Sequence, residues 1–304
     1  MDYKLRGDCV KFFQVVTLMR ISQKFFFGKF VRNFFDLFHY KKVKSRRLML
    51  RYFDLNQYDP AKLKEFLSLG FVLLDSRVPK TFQDDVNNVI EFSEKLLHKK
   101  YSESSAVRYK HFWKYWSDLI PDILDENHPL IKVALNRSVI DLVSNYMGTV
   151  PCLRYALLTE STHSSDEILY SQKWHFDNDD SKVVKLFIYL SDVSDINDGP
   201  FTLLSKVTSN RIKSKFLNRH KEDNEVYKKI SNQELVELYG PKGVAFLCST
   251  RECLHMGSRI RPGHKRLLYT ALYTPEPAMF GSTDSRIKAS KSASDLDRAL
   301  LSSS

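Results

Sequence analysis

The stretch SQKWHFDNDD, residues 171–180, places His175 and Asp177 two positions apart, just before a run of strand-like segments. In a β-strand, residues i and i+2 point to the same face, so the imidazole and the carboxylate share one side while Trp174 and Phe176 share the other. A buried carboxylate is costly without a positive partner, and a divalent cation would supply one. The pattern therefore fits a metal site, although it also fits an ordinary polar strand edge.

The chain has nine histidines that could supply a third metal ligand. His255 follows the strand-like segment GVAFLCST and leads into another strand. Two histidines and one aspartate on one face of a metal leave three positions open, as in non-haem Fe(II) oxygenases. The acids Asp179 and Asp180 fit a turn after the strand, and we expect no ligand role for them. Less suitable histidines lie in basic helical segments, a polar insert and a turn: His39, His98, His220 and His264.

Arg266 begins the apolar run LLYTALYTP, eleven residues after His255. A guanidinium at the mouth of an apolar strand is costly unless a carboxylate meets it, and its fixed fork of donors binds a carboxylate through two hydrogen bonds. That carboxylate could belong to 2-oxoglutarate. Arg266 could equally be a surface residue in a loop that already holds three cations, Arg259, Arg261 and Lys265.

The segments WHFDNDD, KLFIYLSDV, DGP and LHMGSRIRPGHKRLLYTALYTP together resemble the phytanoyl-CoA dioxygenase family of Fe(II)- and 2-oxoglutarate-dependent oxygenases. The resemblance extends from about residue 60 to 277 and includes FLSLGFVLLD near its start. It implies that His175, Asp177 and His255 ligate Fe(II) and that Arg266 binds the cosubstrate 2-oxoglutarate. It also implies a reaction with O₂ that hydroxylates a C–H bond of a small molecule and releases succinate and CO₂.

One segment departs from the family pattern. After DGP, family members often continue into a PGSH-like turn, whereas this chain reads FTLLSKVTSN. Because that loop helps to shape the pocket in the family, the resemblance implies a different substrate here. Asp177 is present, whereas halogenating relatives lack this carboxylate, so the resemblance favours hydroxylation.

Helix signals dominate the first half of the chain and strand signals the second. Asp59-Pro60 predicts a helix start, Gly70 its end, and the segment over 128–148 predicts one further helix. Short strands after about residue 150 predict an α+β fold with a double-stranded β-helix, a jelly-roll or cupin-like barrel, flanked by helices mostly from the N-terminal half. These signals predict three units: an arm over 1–50, an oxygenase domain over 55–280 with a helical insert at about 208–239, and a Ser-rich flexible tail over 281–304.

The arm over residues 1–50 is basic and rich in phenylalanine. It holds 12 Lys and Arg against 3 acidic residues, whereas the other 254 residues are nearly neutral, with 35 against 33. Phenylalanines recur in it at helical spacing, which fits either a helix in a membrane interface or a helix packed on the main domain. These phenylalanines are Phe27, Phe30, Phe34 and Phe38.

Composition limits the other function classes. Since the charge is confined to the arm, we expect no nucleic-acid partner for the main domain. Four cysteines without CxxC spacing fit a reducing compartment, and no apolar run reaches the length of a membrane span. We therefore expect a cytoplasmic enzyme with a small-molecule substrate, in contact with a membrane at most through the arm. Its oligomeric state cannot be derived from the sequence.

Two other functions remain open at this point. One is a metal-dependent hydrolase or dioxygenase that does not use 2-oxoglutarate, for which replacing Arg266 would hardly change turnover. The other is a membrane-peripheral binding protein with a vestigial metal site, for which the arm would be essential and iron irrelevant.

Overall fold

The fold is taken from a computed structural model. It describes residues 28–55, 59–74, 78–100, 109–110, 112–120, 123–163, 168, 170–213, 220–257, 259–279 and 283–301.

Most helices of the N-terminal half share a core with one face of a sheet. Their bounds are Gly28–Phe38 (α1), Tyr40–Tyr52 (α2), Pro60–Leu69 (α3), Lys80–Lys100 (α4), Pro129–Ala134 (α5) and Arg137–Met147 (α6). The predicted limits of α3 are confirmed, because the Asp59 carboxylate accepts the Ala61 amide at 2.8 Å and Gly70 ends the helix at φ 79°. A Cβ at Gly70 would also lie only 2.6 Å from Cys253 Sγ, so this turn requires glycine.

The single helix predicted over 128–148 is wrong, since the chain forms α5 and α6 with a break between them. The break falls at Asn136, whose side chain accepts the Ser138 amide at 3.1 Å and caps the second helix. An asparagine inside a helical pattern thus starts a new helix, and Gly148 ends it as predicted.

Ten strands form two antiparallel sheets in the described part of the chain. The larger sheet has the order β1-β8-β5-β10-β4-β3-β2, and the smaller one β7-β6-β9. The strands are Phe71–Leu74 (β1), Tyr109–Lys110 (β2), Trp113–Tyr115 (β3), Pro151–Thr162 (β4), Val184–Tyr189 (β5), Phe201–Leu204 (β6), Leu235–Leu238 (β7), Ala245–Cys248 (β8), His255–Met256 (β9) and Lys265–Pro275 (β10). The predicted mixture of helix and sheet is confirmed.

The seven-stranded sheet separates two apolar layers. Along β5, Leu186 and Ile188 pack into the core shared with the helices, whereas Phe187 and Tyr189 pack on the other side against residues that include Phe201 of the small sheet. This alternation leaves one face of the sheet turned toward the small sheet. The candidate site lies on that face.

Two predicted units at the C-terminal side need correction. The insert over 208–239 is helical at Lys206–Lys213 (α7) and Asp223–Tyr227 (α8), but its last residues form strand β7 of the small sheet. The tail over 281–304 contains helix Asp295–Leu301 (α9), in which Leu300 is fully buried in the main core. The prediction of a flexible tail was wrong over this helix, because its leucines pack on the core despite the surrounding serines.

The arm enters the described part of the chain at α1 and α2, while residues 1–27 lie outside it. The exposed fractions of Phe34 and Phe38 are 54% and 73%, so the alternative in which the phenylalanines pack on the main domain is wrong for these two side chains. Phe27 and the side chain of Phe30 lie outside the described residues. Among the helices that the structure describes, none combines the length and hydropathy needed to cross a bilayer.

Candidate metal centre

The backbone brings the HxD stretch alongside the distal histidine. His175 donates its amide to His255 O at 2.9 Å, and His255 donates back to His175 O at 3.1 Å. Two residues on, the Asp177 amide donates to Thr250 O at 3.0 Å. Trp174 is fully buried in a separate apolar cluster with Phe176, which confirms that the aromatic residues and the polar pair face opposite ways.

Both imidazoles are held in the same tautomer. Nδ1 of His175 lies 2.9 Å from the Lys173 carbonyl, and Nδ1 of His255 lies 3.0 Å from the Cys253 carbonyl. A carbonyl can only accept, so each Nδ1 carries the proton and donates it. A neutral imidazole then has a bare lone pair on Nε2. Such a backbone bond at the other ring nitrogen is usual for a metal-binding histidine.

The two Nε2 atoms point at the Asp177 carboxylate. The distance from His175 Nε2 to Asp177 Oδ1 is 3.6 Å, and that from His255 Nε2 to Asp177 Oδ2 is 3.9 Å. One possible ligand atom from each of the three residues lies within 4.8 Å of the others, and all three side chains are buried. Three acceptors facing one another repel unless a cation lies between them. Two imidazoles and one carboxylate form the donor set that suits Fe(II) with open positions.

Burial keeps the imidazoles neutral. It lowers the pKa of His175 to about 3, with a further contribution from the neighbouring His255, and it also lowers the pKa of His255. Burial alone would raise the pKa of Asp177, but the Lys185 ammonium and the two imidazoles hold it below its usual range. The site is therefore ready to bind a cation at neutral pH without first releasing a proton.

Lys185 is a neighbour of the site that sequence reasoning missed. Its Nζ lies 2.7 Å from Asp177 Oδ2, and the pairing holds the pKa of this lysine above its usual range although burial alone would lower it. The Tyr155 hydroxyl is hydrogen-bonded to the same ammonium, and burial raises the pKa of this phenol to about 12. The sequence did offer one sign of this residue's role, because Lys185 is the only charged residue in the otherwise apolar run VVKLFIYL.

Two further side chains adjoin the ligands. Arg251 is buried and donates to the Asp177 carbonyl at 3.2 Å and to the Asn178 side chain, which fixes the chain just after the carboxylate. His220 was considered a poor candidate in its polar insert, yet its ring centroid lies 5.8 Å from that of His175. It belongs to the wall of the site, whereas His264 lies elsewhere, paired with Asp198 at 2.8 Å.

Arg266 is a buried residue of β10, so the alternative of a surface arginine is wrong. Its guanidinium donates to the Gly199 carbonyl in the DGP motif and lies 6.0 Å from the centre of the Tyr189 ring. Burial lowers its pKa, and the Tyr189 hydroxyl partly offsets that effect. The sheet register pairs Leu268, two residues along β10, with Tyr189, so Arg266 shares a sheet face with Tyr189 and Lys185.

Asp180 is buried but turned away from the ligands. It accepts the Ser181 amide at 2.5 Å, the Met279 amide at 2.7 Å and Arg32 Nη1 at 3.2 Å. Burial raises the pKa of Asp180, and these hydrogen bonds, which would lower it, only partly offset that effect. Asp179 is half-buried in the same bend. Neither acid belongs to the cluster of His175, Asp177 and His255.

The fold has solved counterparts. EctD from S. alaskensis, solved with bound Fe, matches with a TM-score of 0.52 and 11% identity over 74% of this chain and 79% of that chain. SnoN, a non-haem α-ketoglutarate-dependent epimerase from nogalamycin biosynthesis, matches with a TM-score of 0.51 and 14% identity over 78% of this chain and 93% of that chain. SnoK, a non-haem α-ketoglutarate-dependent carbocyclase from nogalamycin biosynthesis, matches with a TM-score of 0.50 and 12% identity over 76% of this chain and 89% of that chain.

The chain has the fold of these non-haem 2-oxoglutarate-dependent enzymes. No family model matches the sequence, and no curated protein matches it. The resemblance seen in the sequence is thus confirmed at the level of the fold, with identities too low to carry the reaction or the substrate.

Proposed function

We propose that this protein is an Fe(II)- and 2-oxoglutarate-dependent dioxygenase that hydroxylates a C–H bond of a small molecule. The observation that carries the proposal is the convergence of two bare imidazole nitrogens and one carboxylate on a single buried point. His175, Asp177 and His255 would hold the metal. The shared fold of iron enzymes supports the choice of Fe(II), and we further propose that the two sheets form a double-stranded β-helix around the site.

Arg266 would bind the distal carboxylate of 2-oxoglutarate. It is buried on the same sheet face as the cluster, and the carbonyl of Gly199 together with the Tyr189 ring fixes the direction of its guanidinium. Gly199 has φ 67°, and a Cβ there would lie 2.6 Å from Ile260 Cδ1, so the DGP turn that holds Arg266 requires glycine.

The bound metal and 2-oxoglutarate would supply the oxidising chemistry, and the chain would bind, orient and exclude water. Nδ1 of each histidine donates to a backbone carbonyl and so fixes the ring that presents Nε2. Lys185 and Arg251 hold the Asp177 side chain and backbone in place. The buried wall of Phe187, Phe201 and Phe246 keeps water from one side of the site.

The substrate would enter along β4. Tyr155, Leu157 and Thr159 pair across the sheet with Leu272, Thr270 and Leu268, so they face the same side as Arg266. All three β4 side chains are only half-buried, unlike their neighbours in sequence. A surface of one phenol, one apolar side chain and one hydroxyl fits a small organic substrate.

The test is anaerobic addition of Fe(II) and then 2-oxoglutarate, followed by visible spectroscopy for the weak charge-transfer absorption of an iron-chelated 2-oxo acid. We expect the absorption in the native protein, its loss in His255→Ala, and a weaker 2-oxoglutarate affinity in Arg266→Ala. His98→Ala is the matched control, since that histidine is exposed on α4.

The other two functions predict different results. A hydrolase or dioxygenase without 2-oxoglutarate would bind metal but show no absorption and no effect of Arg266→Ala. A binding protein with a vestigial site would not bind Fe(II) stoichiometrically. Either result in folded protein would overturn the proposal.

A further inference from the structure

Helices α1 and α2 form a nearly continuous helical segment on the outside of the molecule. The His39 amide donates to Phe35 O at 3.1 Å, and the Val43 amide donates to His39 O at 3.0 Å. These two bonds link the helices across His39, whose φ of −105° and ψ of 23° interrupt the regular helix. Within each helix, side chains three or four residues apart share a face.

This segment carries exposed apolar side chains in both helices. The exposed fractions are 54% for Phe34, 68% for Leu37, 73% for Phe38, 55% for Leu48 and 75% for Tyr52. They form two groups, Phe34, Leu37 and Phe38 on one side of α1 and Leu48 and Tyr52 on one side of α2, with the exposed Lys41 and Ser45 between them in the chain. We call these five residues the outer stripe. Scattered exposed apolar residues are common, but two such groups on consecutive helices are not.

The opposite face is fastened to the main domain. Val43 and Arg46 are buried there. Polar contacts to the domain join Arg32 to Asp180 at 3.2 Å, Lys42 to Glu276 at 3.1 Å, and Arg46 to the carbonyl oxygens of Pro151 and Ala299. The outer stripe is consequently presented outward on a fixed support.

Positive charge accompanies the stripe. Residues 28–53 contain eight Lys and Arg and a single acidic residue, Asp36. Asp36 is paired with Arg32 at 2.6 Å and with Arg47 at 3.7 Å. The exposed cations Lys41, Lys44 and Arg51 also lie within or beside the outer stripe.

We propose that the outer stripe and its flanking cations bind the surface of an anionic lipid bilayer, with the helical segment lying in the plane of the interface. Aromatic and leucine side chains on one face with lysine and arginine beside them are the composition of such helices. Anionic headgroups complement the cations, and the acyl boundary removes the phenylalanines from water. A nucleic acid would pair with the cations but leave the phenylalanines exposed. The proposal is independent of the reaction at the metal centre.

The test is co-sedimentation of the full-length protein with vesicles of phosphatidylcholine alone and of equal parts phosphatidylcholine and phosphatidylglycerol. We expect binding to the anionic vesicles that weakens as the salt rises from about 0.1 M to about 1 M. Phe34→Ser/Leu37→Ser/Phe38→Ser should lower the affinity at least about tenfold. Lys41→Glu/Lys44→Glu should do the same at low salt.

The matched control is Ile123→Ser/Val207→Ser, which removes side chains that are 60% and 66% exposed outside the stripe. It should bind vesicles as the native protein does. Equal binding of the triple variant and the native protein, or no preference for anionic vesicles, would contradict the proposal. A concentration-dependent dimer that only the triple variant loses, measured by light scattering, would instead assign the stripe to contacts between two copies.

Discussion

Asp177 and Asp180 lie three residues apart and are both buried, yet their surroundings differ. Asp180 accepts hydrogen bonds from two backbone amides, so its charge is satisfied by fixed parts of the fold. Asp177 faces two imidazole nitrogens that can only accept, with Lys185 as its cationic partner. A buried acid is thus a metal-ligand candidate when acceptors surround it, and a structural residue when backbone donors do.

The largest expected effect is on metal affinity, which should fall when Asp177 is replaced but not when Asp180 is. Asp177→Asn removes the single negative charge of the three proposed ligands, and we expect the affinity for Co(II), a spectroscopic substitute for Fe(II), to fall about 100-fold or more. Asp180→Asn should change it less than about threefold, since that side chain is not a ligand. Titration followed by the visible absorption of Co(II) measures both. An equal loss of Co(II) affinity in the two variants would show that Asp177 and Asp180 do not differ in their role in metal binding.

The next effect concerns Arg266 and the cosubstrate. Arg266→Met should weaken 2-oxoglutarate binding to the metal-loaded protein about 10- to 100-fold, because a bidentate charged contact is lost, while Arg266→Lys should retain part of it. Calorimetric titration of 2-oxoglutarate checks this. Arg259→Met is the control, because that arginine pairs with Asp223 at 2.6 Å. An unchanged affinity in Arg266→Met would assign this arginine to the support of the DGP turn alone.

A third effect concerns the stability of the fold and tests whether Asp180 is a structural residue. In Asp180→Asn, an amide NH₂ group would face donors where a carboxylate accepts the Ser181 and Met279 amides and pairs with Arg32. We expect the free energy of unfolding to fall by about 2–4 kcal/mol. Urea denaturation followed by circular dichroism measures it. Ser181→Ala is a milder comparison, since it removes a single hydroxyl donor at 2.9 Å and keeps both backbone amides. A stability equal to that of the native protein would mean that Asp180 is not a structural residue.

The smallest effect is the pH dependence of metal binding. His175, with a pKa lowered to about 3, and His255, with a lowered pKa, are already neutral in the folded apoprotein at pH 5.5 to 7.5. Protons therefore do not compete for Nε2 in this range, and the dissociation constant for Co(II) should change by less than about threefold. Histidines of ordinary pKa, about 6.5, would lose affinity steeply as the pH falls. A loss of about tenfold per pH unit would show that the imidazoles are not buried as described.

The sequence predicted the parts of the molecule that depend on local chemistry. The cap at Asp59, the end at Gly70 and the opposite faces of Trp174 and His175 follow from neighbours in the chain, and all three are found. The clustering of His255 with the HxD pair was predicted through spacing and family resemblance. Its role as a ligand stays a prediction.

What the sequence missed depends on contacts between distant segments. A lysine within the apolar run of β5 is unusual, but its pairing with Asp177 depends on the fold, and its own strand does not indicate that partner. Leu300 lies in a serine-rich segment but is buried because α9 packs on the core. Strand β7 forms because the end of a polar insert meets β6, a pairing that periodicity in the insert does not reveal.

Anomalous diffraction from crystals grown with Ni(II) and 2-oxoglutarate would show the metal and the cosubstrate together. We expect one metal ion bound by Nε2 of His175, a carboxylate oxygen of Asp177 and Nε2 of His255. We also expect 2-oxoglutarate on that metal, with its distal carboxylate paired to Arg266. A metal bound elsewhere, or 2-oxoglutarate bound without contact to Arg266, would overturn the proposed function.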